Sequence, residues 1–169
     1  MLLSSQQIRE TITRVGFEVE QKYSTLESHE ALVVIGVLNG AAFFTCDLTR
    51  EIRAISVEVG FMQLSSYGSS TKSSGQVKID MLPNIGVKGK HVLVVEDILD
   101  TGATIKKIRE VFEGLEPASL EIAVFADKGL TEEKVDYVAF EVPSNEFLIG
   151  YGMDSSGLLR NLTDVLVVE

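Results

Sequence analysis

One segment, residues 91–114, restricts the possible fold more than any other part of the chain. It opens with HVLVV, a continuous apolar run typical of a strand that is covered on both faces. EDILDTG then predicts a turn. Ile105, Ile108 and Phe112, spaced by three and four residues, predict the buried face of a helix that ends near Gly114. A buried strand followed directly by an amphipathic helix favours an α/β domain with a mostly parallel sheet.

The same alternation of strands and helices continues along the rest of the chain. Ser4 and Ser5 are candidate caps of a first helix, whose apolar stripe is Ile8, Ile12, Val15 and Val19. The run 31–37 predicts a second buried strand, followed by a turn and a helix. Further strands are predicted in residues 55–61 and in VKIDML, SLEIAVFADKG, DYVAFEVP, FLIGYGMD and DVLVVE. We therefore predict one domain over residues 1–169, with a mostly parallel central sheet flanked by helices.

Charge and composition exclude several classes of protein. The 169 residues contain 15 Lys and Arg against 25 Asp and Glu, and the resulting charge of −10 disfavours a nucleic-acid partner. The single cysteine, Cys46, permits no internal disulfide. The first ten residues lack the pattern of a signal peptide, and no apolar run approaches the ~20 residues that span a bilayer. These observations predict a cytoplasmic protein without a membrane partner.

Polar residues cluster where the predicted 91–95 strand ends. Glu96, Asp97 and Asp100 lie within five residues of one another, and Thr101, Gly102 and Thr104 follow at the start of the helix. Unpaired N–H groups at a helix start bind phosphate, and carboxylates accept hydrogen bonds from sugar hydroxyls. The segment lacks the P-loop and dinucleotide-binding patterns. It therefore predicts a ribose 5-phosphate site.

A simpler interpretation exists for part of this segment. Asp100 or Thr101 could merely cap the helix, with Glu96 and Asp97 in a solvated turn. A lone DTG would favour that interpretation. The complete segment favours the ligand site, because a helix cap does not require two further carboxylates.

The segment 65–76, SSYGSSTKSSGQ, contains six serines and two glycines and is too polar to pack. It predicts a mobile loop. Within a compact domain, a structureless segment of this length indicates a lid that closes on a ligand site. The alternative is an ordinary disordered surface loop.

VLVVEDILDTGATI (92–105) resembles the phosphoribosyl-pyrophosphate motif of the type I phosphoribosyltransferases, and the further matches resemble their hypoxanthine-guanine branch. LNGAAFF (38–44) is similar to the family's pyrophosphate loop, and LLRNL (158–162) is similar to an arginine segment that helps to hold pyrophosphate. Ser66–Tyr67 is similar to the start of the flexible catalytic loop. FADK (125–128) is similar to the strand end that carries a purine-binding lysine, and FLIGYGMD (147–154) is similar to the purine-stacking strand. These matches run from about residue 31 to 168 in the family's order.

The resemblance implies a role for each matching residue. Asp100 would be the general base near purine N7, and Lys128 would pair with purine O6. The 5-phosphate would be bound by Asp100, Thr101, Gly102, Ala103 and Thr104; the ribose by Glu96 and Asp97; the purine by Lys128, Phe147, Leu148 and Asp154; and the pyrophosphate by Asn39, Gly40, Ala41 and Arg160. Mg²⁺ would be held by Glu96, Asp97 and Asp154. Taken alone, Phe147 would be a core aromatic residue, Asp154 a turn residue and Arg160 half of a surface ion pair.

The resemblance also implies a fold and a reaction. The fold would be the type I phosphoribosyltransferase sheet with a small hood built from the terminal segments. The reaction would be purine salvage, in which the phosphoribosyl group of 5-phosphoribosyl 1-pyrophosphate passes to hypoxanthine or guanine, giving IMP or GMP and pyrophosphate. Because family members are dimers or tetramers, a homodimer or homotetramer is expected. A xanthine-preferring or other type I transferase, and a non-catalytic regulator that senses phosphoribosyl pyrophosphate, remain alternatives.

Two departures from the family pattern make the expected site less basic. Asn39 stands where the family usually has lysine, and GLTEEK follows Lys128 where basic residues are common. Both changes predict altered affinity for the phosphorylated sugar or an altered substrate preference. They also predict a steep dependence on Mg²⁺.

Overall fold

A six-stranded sheet with the order β3-β2-β1-β4-β5-β6 forms the centre of the structure, a computed structural model that describes residues 1–27, 30–66 and 77–168. The strands are β1 Leu32–Leu38, β2 Val57–Ser66, β3 Val77–Met81, β4 His91–Leu99, β5 Ser119–Asp127 and β6 Tyr137–Glu141. The helices are α1 Ser5–Tyr23, α2 Ala42–Glu51 and α3 Ala103–Leu115. Among the described strands of this sheet, only β3 pairs antiparallel, with β2. The predicted α/β class with a mostly parallel sheet is confirmed.

Helix α1 begins as its sequence predicts. The Ser4 side chain accepts a hydrogen bond from the Gln7 N–H, and the Gln7 side chain accepts one from the Ser4 N–H at 2.9 Å. This reciprocal pair satisfies two backbone donors that the helix leaves unpaired. The predicted stripe is confirmed, since Ile8, Ile12, Val15 and Val19 are all buried.

Both faces of the central strands are covered, which explains their continuous apolar runs. On one face, Leu32 and Val34 of β1 pack in a core cluster with residues of α1 and α2. On the other, Val33 and Ile35 pack with the predicted apolar face of α3. The helices thus lie on both sides of the sheet, as expected where parallel strands are joined by helical crossovers.

Two boundaries differ from the sequence predictions. Strand β4 continues through Glu96 to Leu99, because it remains paired with β5 up to the Leu99–Asp127 register, so most of the predicted EDILDTG turn is strand. Strand β2 likewise continues through Ser66, which pairs with Val77 of β3. Backbone pairing requires no apolar side chain, so the polar residues Ser65 and Ser66 gave no sequence signal that β2 extends this far. The predicted 65–76 loop therefore includes two strand residues, and the rest of it, Tyr67 included, lies outside the described residues.

A second, two-stranded antiparallel sheet joins β7 Phe147–Ile149 to β8 Leu166–Val168. Next to it, the Leu3 N–H donates to the Val165 carbonyl at 3.1 Å and the Val165 N–H returns the bond at 2.9 Å. Val165 and Leu148 belong to the core cluster that contains α1 and α2. The two ends of the chain therefore meet on that side of the molecule. No helix among the described residues is long and apolar enough to cross a membrane.

Candidate active site

The carboxyl ends of β1 and β4 open into a cavity of about 410 Å³. Several residues that the sequence analysis assigned to different subsites line this one cavity: Asn39, Gly40, Glu96, Asp97, Thr104, Asp154 and Arg160. They come from the turn after β1, from β4, from α3 and from the segment after β7. In open α/β sheets, ligands bind at this edge, beyond the carboxyl ends of neighbouring strands.

Three backbone segments meet at Gly40. A Cβ atom on Gly40 would lie 1.6 Å from Asp97 Oδ2, so only glycine lets this turn approach the Asp97 carboxylate. On the other side, a Cβ on Gly152 would lie 2.0 Å from the Gly40 carbonyl oxygen, and Gly152 has a φ of +101°. The turn is therefore packed between the end of β4 and the segment after β7.

Ala41, in the same turn, does not offer its backbone N–H to pyrophosphate as expected. Its N–H donates to the Val37 carbonyl at 3.2 Å, and the residue is fully buried, so this amide has no proton to offer a ligand. The Gly40 N–H, in contrast, has no hydrogen-bond partner among the described residues. Asn39, Gly40 and Arg160 of the expected pyrophosphate site line the cavity, and each carries a hydrogen-bond donor.

Glu96 is a buried carboxyl group in an unusual environment. The residue is 7% exposed, and its Oε2 atom has no hydrogen-bond partner among the described residues. Burial, and secondly the neighbouring Asp97 carboxylate, raise the pKa of Glu96 well above its ordinary value. A buried acceptor of this kind is stabilised by a hydrogen-bond donor or a cation. Asp97 adds a second carboxylate, whose Oδ1 accepts from the Ile98 N–H at 2.7 Å.

The predicted metal ligands do not form a cage. Among the residues that the structure describes, no group of three or more His, Cys, Asp or Glu side chains could hold a metal ion. Asp154 is instead paired with Arg160, whose Nη2 lies 2.6 Å from Asp154 Oδ1. Mg²⁺ is commonly bound through one or two carboxylates together with substrate phosphates. The orphaned oxygen of Glu96 beside Asp97 fits that mode of binding, with the remaining ligands supplied by substrate.

The start of α3 has backbone N–H groups without a side-chain cap among the described residues. Gly102 is the N-cap residue, with a φ of +81°, and in the part of the chain that the structure describes no side chain makes a capping hydrogen bond to the helix. The simpler interpretation, in which Asp100 or Thr101 caps the helix, is therefore wrong. Uncapped N–H groups carry partial positive charge and favour an anion at this end of the helix. Thr104, in the first turn, lines the cavity.

The two expected catalytic residues are neighbours at the ends of β4 and β5. Lys128 Nζ lies 3.4 Å from Asp100 Oδ2, and only 11% of the Lys128 side chain is exposed. The Lys128 N–H donates to the Leu99 carbonyl at 3.0 Å, which fixes its backbone beside β4. Asp100 is half exposed, so its carboxylate remains accessible to a ligand.

Phe147 and Leu148 have opposite environments. Phe147 is 55% exposed, whereas Leu148 is 3% exposed and belongs to the core. The interpretation of Phe147 as a core aromatic residue is therefore wrong. Its exposed ring is free to stack on a planar ligand.

Tyr151 is a residue that the sequence analysis missed. Its hydroxyl donates to Asp47 Oδ2 at 2.8 Å, and its ring packs on Phe125 with centroids 4.9 Å apart. Burial, and secondly the hydrogen bond to Asp47, raise the pKa of Tyr151, so the hydroxyl remains a donor. The residue ties the segment that carries Asp154 to α2. In the sequence, the flanking Gly150 and Gly152 were the available signal of a tight, specially placed segment, and both have positive φ in the structure.

Comparison with known proteins identifies the family of this chain. Residues 5–156 match a family model described as the phosphoribosyl transferase domain. The chain is 42% identical to the hypoxanthine-guanine phosphoribosyltransferase of Aquifex aeolicus, over 100% of this chain and 94% of that protein. It is 39% identical to the hypoxanthine phosphoribosyltransferase of Haemophilus influenzae, over 96% of this chain and 90% of that protein.

Solved structures agree with the sequence relatives. A hypoxanthine phosphoribosyltransferase from Staphylococcus aureus superposes with a TM-score of 0.88 at 33% identity, covering 100% of this chain and 90% of that one. A ternary substrates complex of the Trypanosoma cruzi enzyme gives a TM-score of 0.89 at 35% identity, with coverage of 100% and 94%.

Proposed function

Because this chain belongs to the phosphoribosyltransferase family, in its hypoxanthine and hypoxanthine-guanine branch, we propose that it is a purine-salvage transferase. It passes the phosphoribosyl group of 5-phosphoribosyl 1-pyrophosphate to hypoxanthine or guanine and releases pyrophosphate. One observation carries the proposal. The Lys128–Asp100 pair, at 3.4 Å, the uncapped start of α3 and the buried Glu96 carboxyl group all lie in or just beyond the carboxyl-terminal part of β4, so groups suited to base, phosphate and sugar stand at one sheet edge.

The sugar phosphate is held by the segment from Asp100 to Thr104. The N–H groups of the first turn of α3 meet the 5-phosphate, and the hydroxyls of Thr101 and Thr104 add hydrogen bonds. Glu96 and Asp97 accept hydrogen bonds from the ribose hydroxyls. This arrangement provides the Glu96 Oε2 atom, which has no partner among the described residues, with a donor.

The purine is recognised through the Lys128 side chain. Its ammonium group donates to a carbonyl oxygen at position 6, which hypoxanthine and guanine possess. Adenine has an amino group there, so its own donors would face the ammonium group. Phe147, with its half-exposed ring, stacks on the purine.

Bond formation requires the purine to lose a proton. Asp100 accepts it, and a positioned carboxylate supplies about 10²–10⁴-fold acceleration by general-base catalysis. Lys128 at the same time stabilises the negative charge that develops on the purine oxygen. The nearby Lys128 ammonium group also holds the Asp100 carboxylate in place.

Pyrophosphate leaves on the side lined by the Gly40 N–H and Arg160. Arg160 is now engaged with Asp154 and with the Gly152 carbonyl, at 2.6 Å in each case. A pyrophosphate oxygen can take the place of one of these acceptors, because guanidinium groups bind carboxylate and phosphate oxygens in the same geometry. When bound, Mg²⁺ supplies charge neutralisation for the leaving group.

We expect Mg²⁺ alone to bind weakly and Mg²⁺ with pyrophosphate to bind at least about tenfold more tightly, since the site offers two neighbouring carboxylates rather than a cage. Calorimetric titration of the chelator-treated protein with Mg²⁺, in the presence and absence of pyrophosphate, measures this difference. The D97N variant should lose most of it, whereas the E113Q variant, on the exposed face of α3, should retain it. Equal affinity with and without pyrophosphate would contradict the proposed mode of metal binding.

A spectrophotometric assay tests the function itself. The protein is incubated with phosphoribosyl pyrophosphate, Mg²⁺ and, in turn, hypoxanthine, guanine, xanthine and adenine. Turnover with hypoxanthine or guanine, and none with adenine, is the expected result. Turnover with xanthine alone would support the xanthine-preferring alternative, and no turnover with any base would favour the regulator.

We also propose that the protein forms a homodimer or homotetramer. Phe43, which is 47% exposed, lies just after the turn that lines the cavity, so an exposed apolar side chain is available next to the expected pyrophosphate site for contact with a second subunit. Light scattering on the purified chain distinguishes these assemblies from a monomer.

A further inference from the structure

The acidic segment that follows Lys128 packs directly on the start of α3. A Cβ atom placed on Gly102 would lie 2.7 Å from both Thr131 Oγ1 and Glu133 Cγ. The side chains of Thr131 and Glu133 therefore occupy the space that a side chain at position 102 would need. Glycine is required at this position both for its φ of +81° and for this close packing.

Two contacts place Glu133 beside α3. Its N–H donates to Thr131 Oγ1 at 3.2 Å, and its Oε1 lies 3.7 Å from Lys106 Nζ. About a quarter of the Glu133 side chain is exposed, against 64% for Lys106. The carboxylate therefore lies near the first turn of α3, where it forms an ion pair with Lys106 of that helix.

This placement opposes the binding of a phosphate group. The first turn of α3 attracts anions, and Glu133 already provides a negative charge beside it. A doubly charged phosphate on the same N–H groups is repelled by that carboxylate. Lys106, which would otherwise favour the phosphate, is engaged by Glu133.

We propose that Glu133 sets the affinity of the site for the 5-phosphate group and weakens it. The inference rests on the proposed function, in which the start of α3 holds the 5-phosphate of both substrate and nucleotide product. Weaker binding of that group shortens the lifetime of the product complex, and product release limits the rate of many enzymes. Glu133 touches Gly102 and Lys106 rather than the reacting atoms, so it is a positioning and affinity-determining residue.

The experiment compares E133Q with E132Q, which removes the same charge from the exposed neighbouring residue. Isothermal calorimetry measures the binding of ribose 5-phosphate, and ribose serves as the ligand without the phosphate. We expect E133Q to bind ribose 5-phosphate about two- to fivefold more tightly than the unmodified protein, the range typical of one charge near a helix end. E132Q should bind it with unchanged affinity. The gain in E133Q should shrink as salt is added.

Conservative replacement separates charge from shape. E133D keeps the carboxylate and should retain the affinity of the unmodified protein. Unchanged affinity in E133Q, an equal gain in E132Q, a gain in E133D or tighter binding of ribose would each overturn the inference. The readout does not depend on turnover, so a protein that fails the base assay but shows the shift in E133Q would contradict the proposed function and leave this inference standing.

Discussion

Replacing Asp100 with asparagine is expected to lower kcat by about 10²–10⁴-fold, the range that general-base catalysis contributes. Asparagine has the size of aspartate and can still accept a hydrogen bond from Lys128, so the purine pocket keeps its shape. It cannot take up a proton. The loss should therefore fall on kcat, while the KM for phosphoribosyl pyrophosphate stays within a few-fold of its original value.

The folded structure should tolerate D100N. Half of the Asp100 side chain is exposed, and a partly exposed ion pair contributes only about 0–1 kcal/mol to stability. Thermal unfolding of the variant should thus match that of the E113Q control, which also exchanges a carboxylate for an amide. Pre-steady-state measurement of the chemical step gives the decisive value. A D100N protein with an unchanged chemical step would remove Asp100 from the role of general base.

Local patterns in the sequence predict most of the fold. The stripe from Ile8 to Val19 is spaced for a helix and is buried in α1, and Phe112 lies on the predicted buried face of α3. The run from Leu32 to Val37 could be recognised because both faces of β1 are covered. Each of these signals lies within one element, so no knowledge of distant residues was needed.

The features that the sequence did not predict depend on contacts between distant residues. The burial of Glu96 follows from the continued pairing of β4 with β5, since the strand carries this carboxyl group into the molecule. The hydrogen bond from Tyr151 to Asp47 joins positions 104 residues apart. The packing of Glu133 on Gly102 likewise depends on how the chain leaves β5. In each case the residue type is visible in the sequence, but its partner is not.

Gly40 is the site of the second large expected effect. G40A should lower kcat/KM by about 10²-fold or more, because a displacement of about 1 Å in a catalytic group has an effect of that size. The added Cβ would lie 1.6 Å from Asp97 Oδ2 and 2.5 Å from Asp97 Cγ, so the two cannot keep their positions. The turn cannot retreat either, since Gly152 packs against the Gly40 carbonyl oxygen on the other side. The Asp97 carboxylate must therefore move.

G40A should also lower the stability of the fold. Overpacking of this kind costs about 1–3 kcal/mol of unfolding free energy. The matched control is G86A, because a Cβ at Gly86 would have no atom of the described residues within 4 Å. Its stability should stay within about 0.5 kcal/mol of the original. Denaturant unfolding and steady-state kinetics on both variants measure the two effects separately.

The double variant G40A/D97A tests whether the clash with the Asp97 carboxylate causes the destabilisation in G40A. Removing the Asp97 carboxylate creates room for the new methyl group, so the double variant should unfold with nearly the same free energy as D97A alone. Its activity should remain low, because the carboxylate that binds the ribose hydroxyls is missing. A double variant less stable than D97A by the full cost of G40A would show that the methyl group strains the turn itself. Wild-type activity in G40A would show that catalysis does not require the close approach of Gly40 to Asp97.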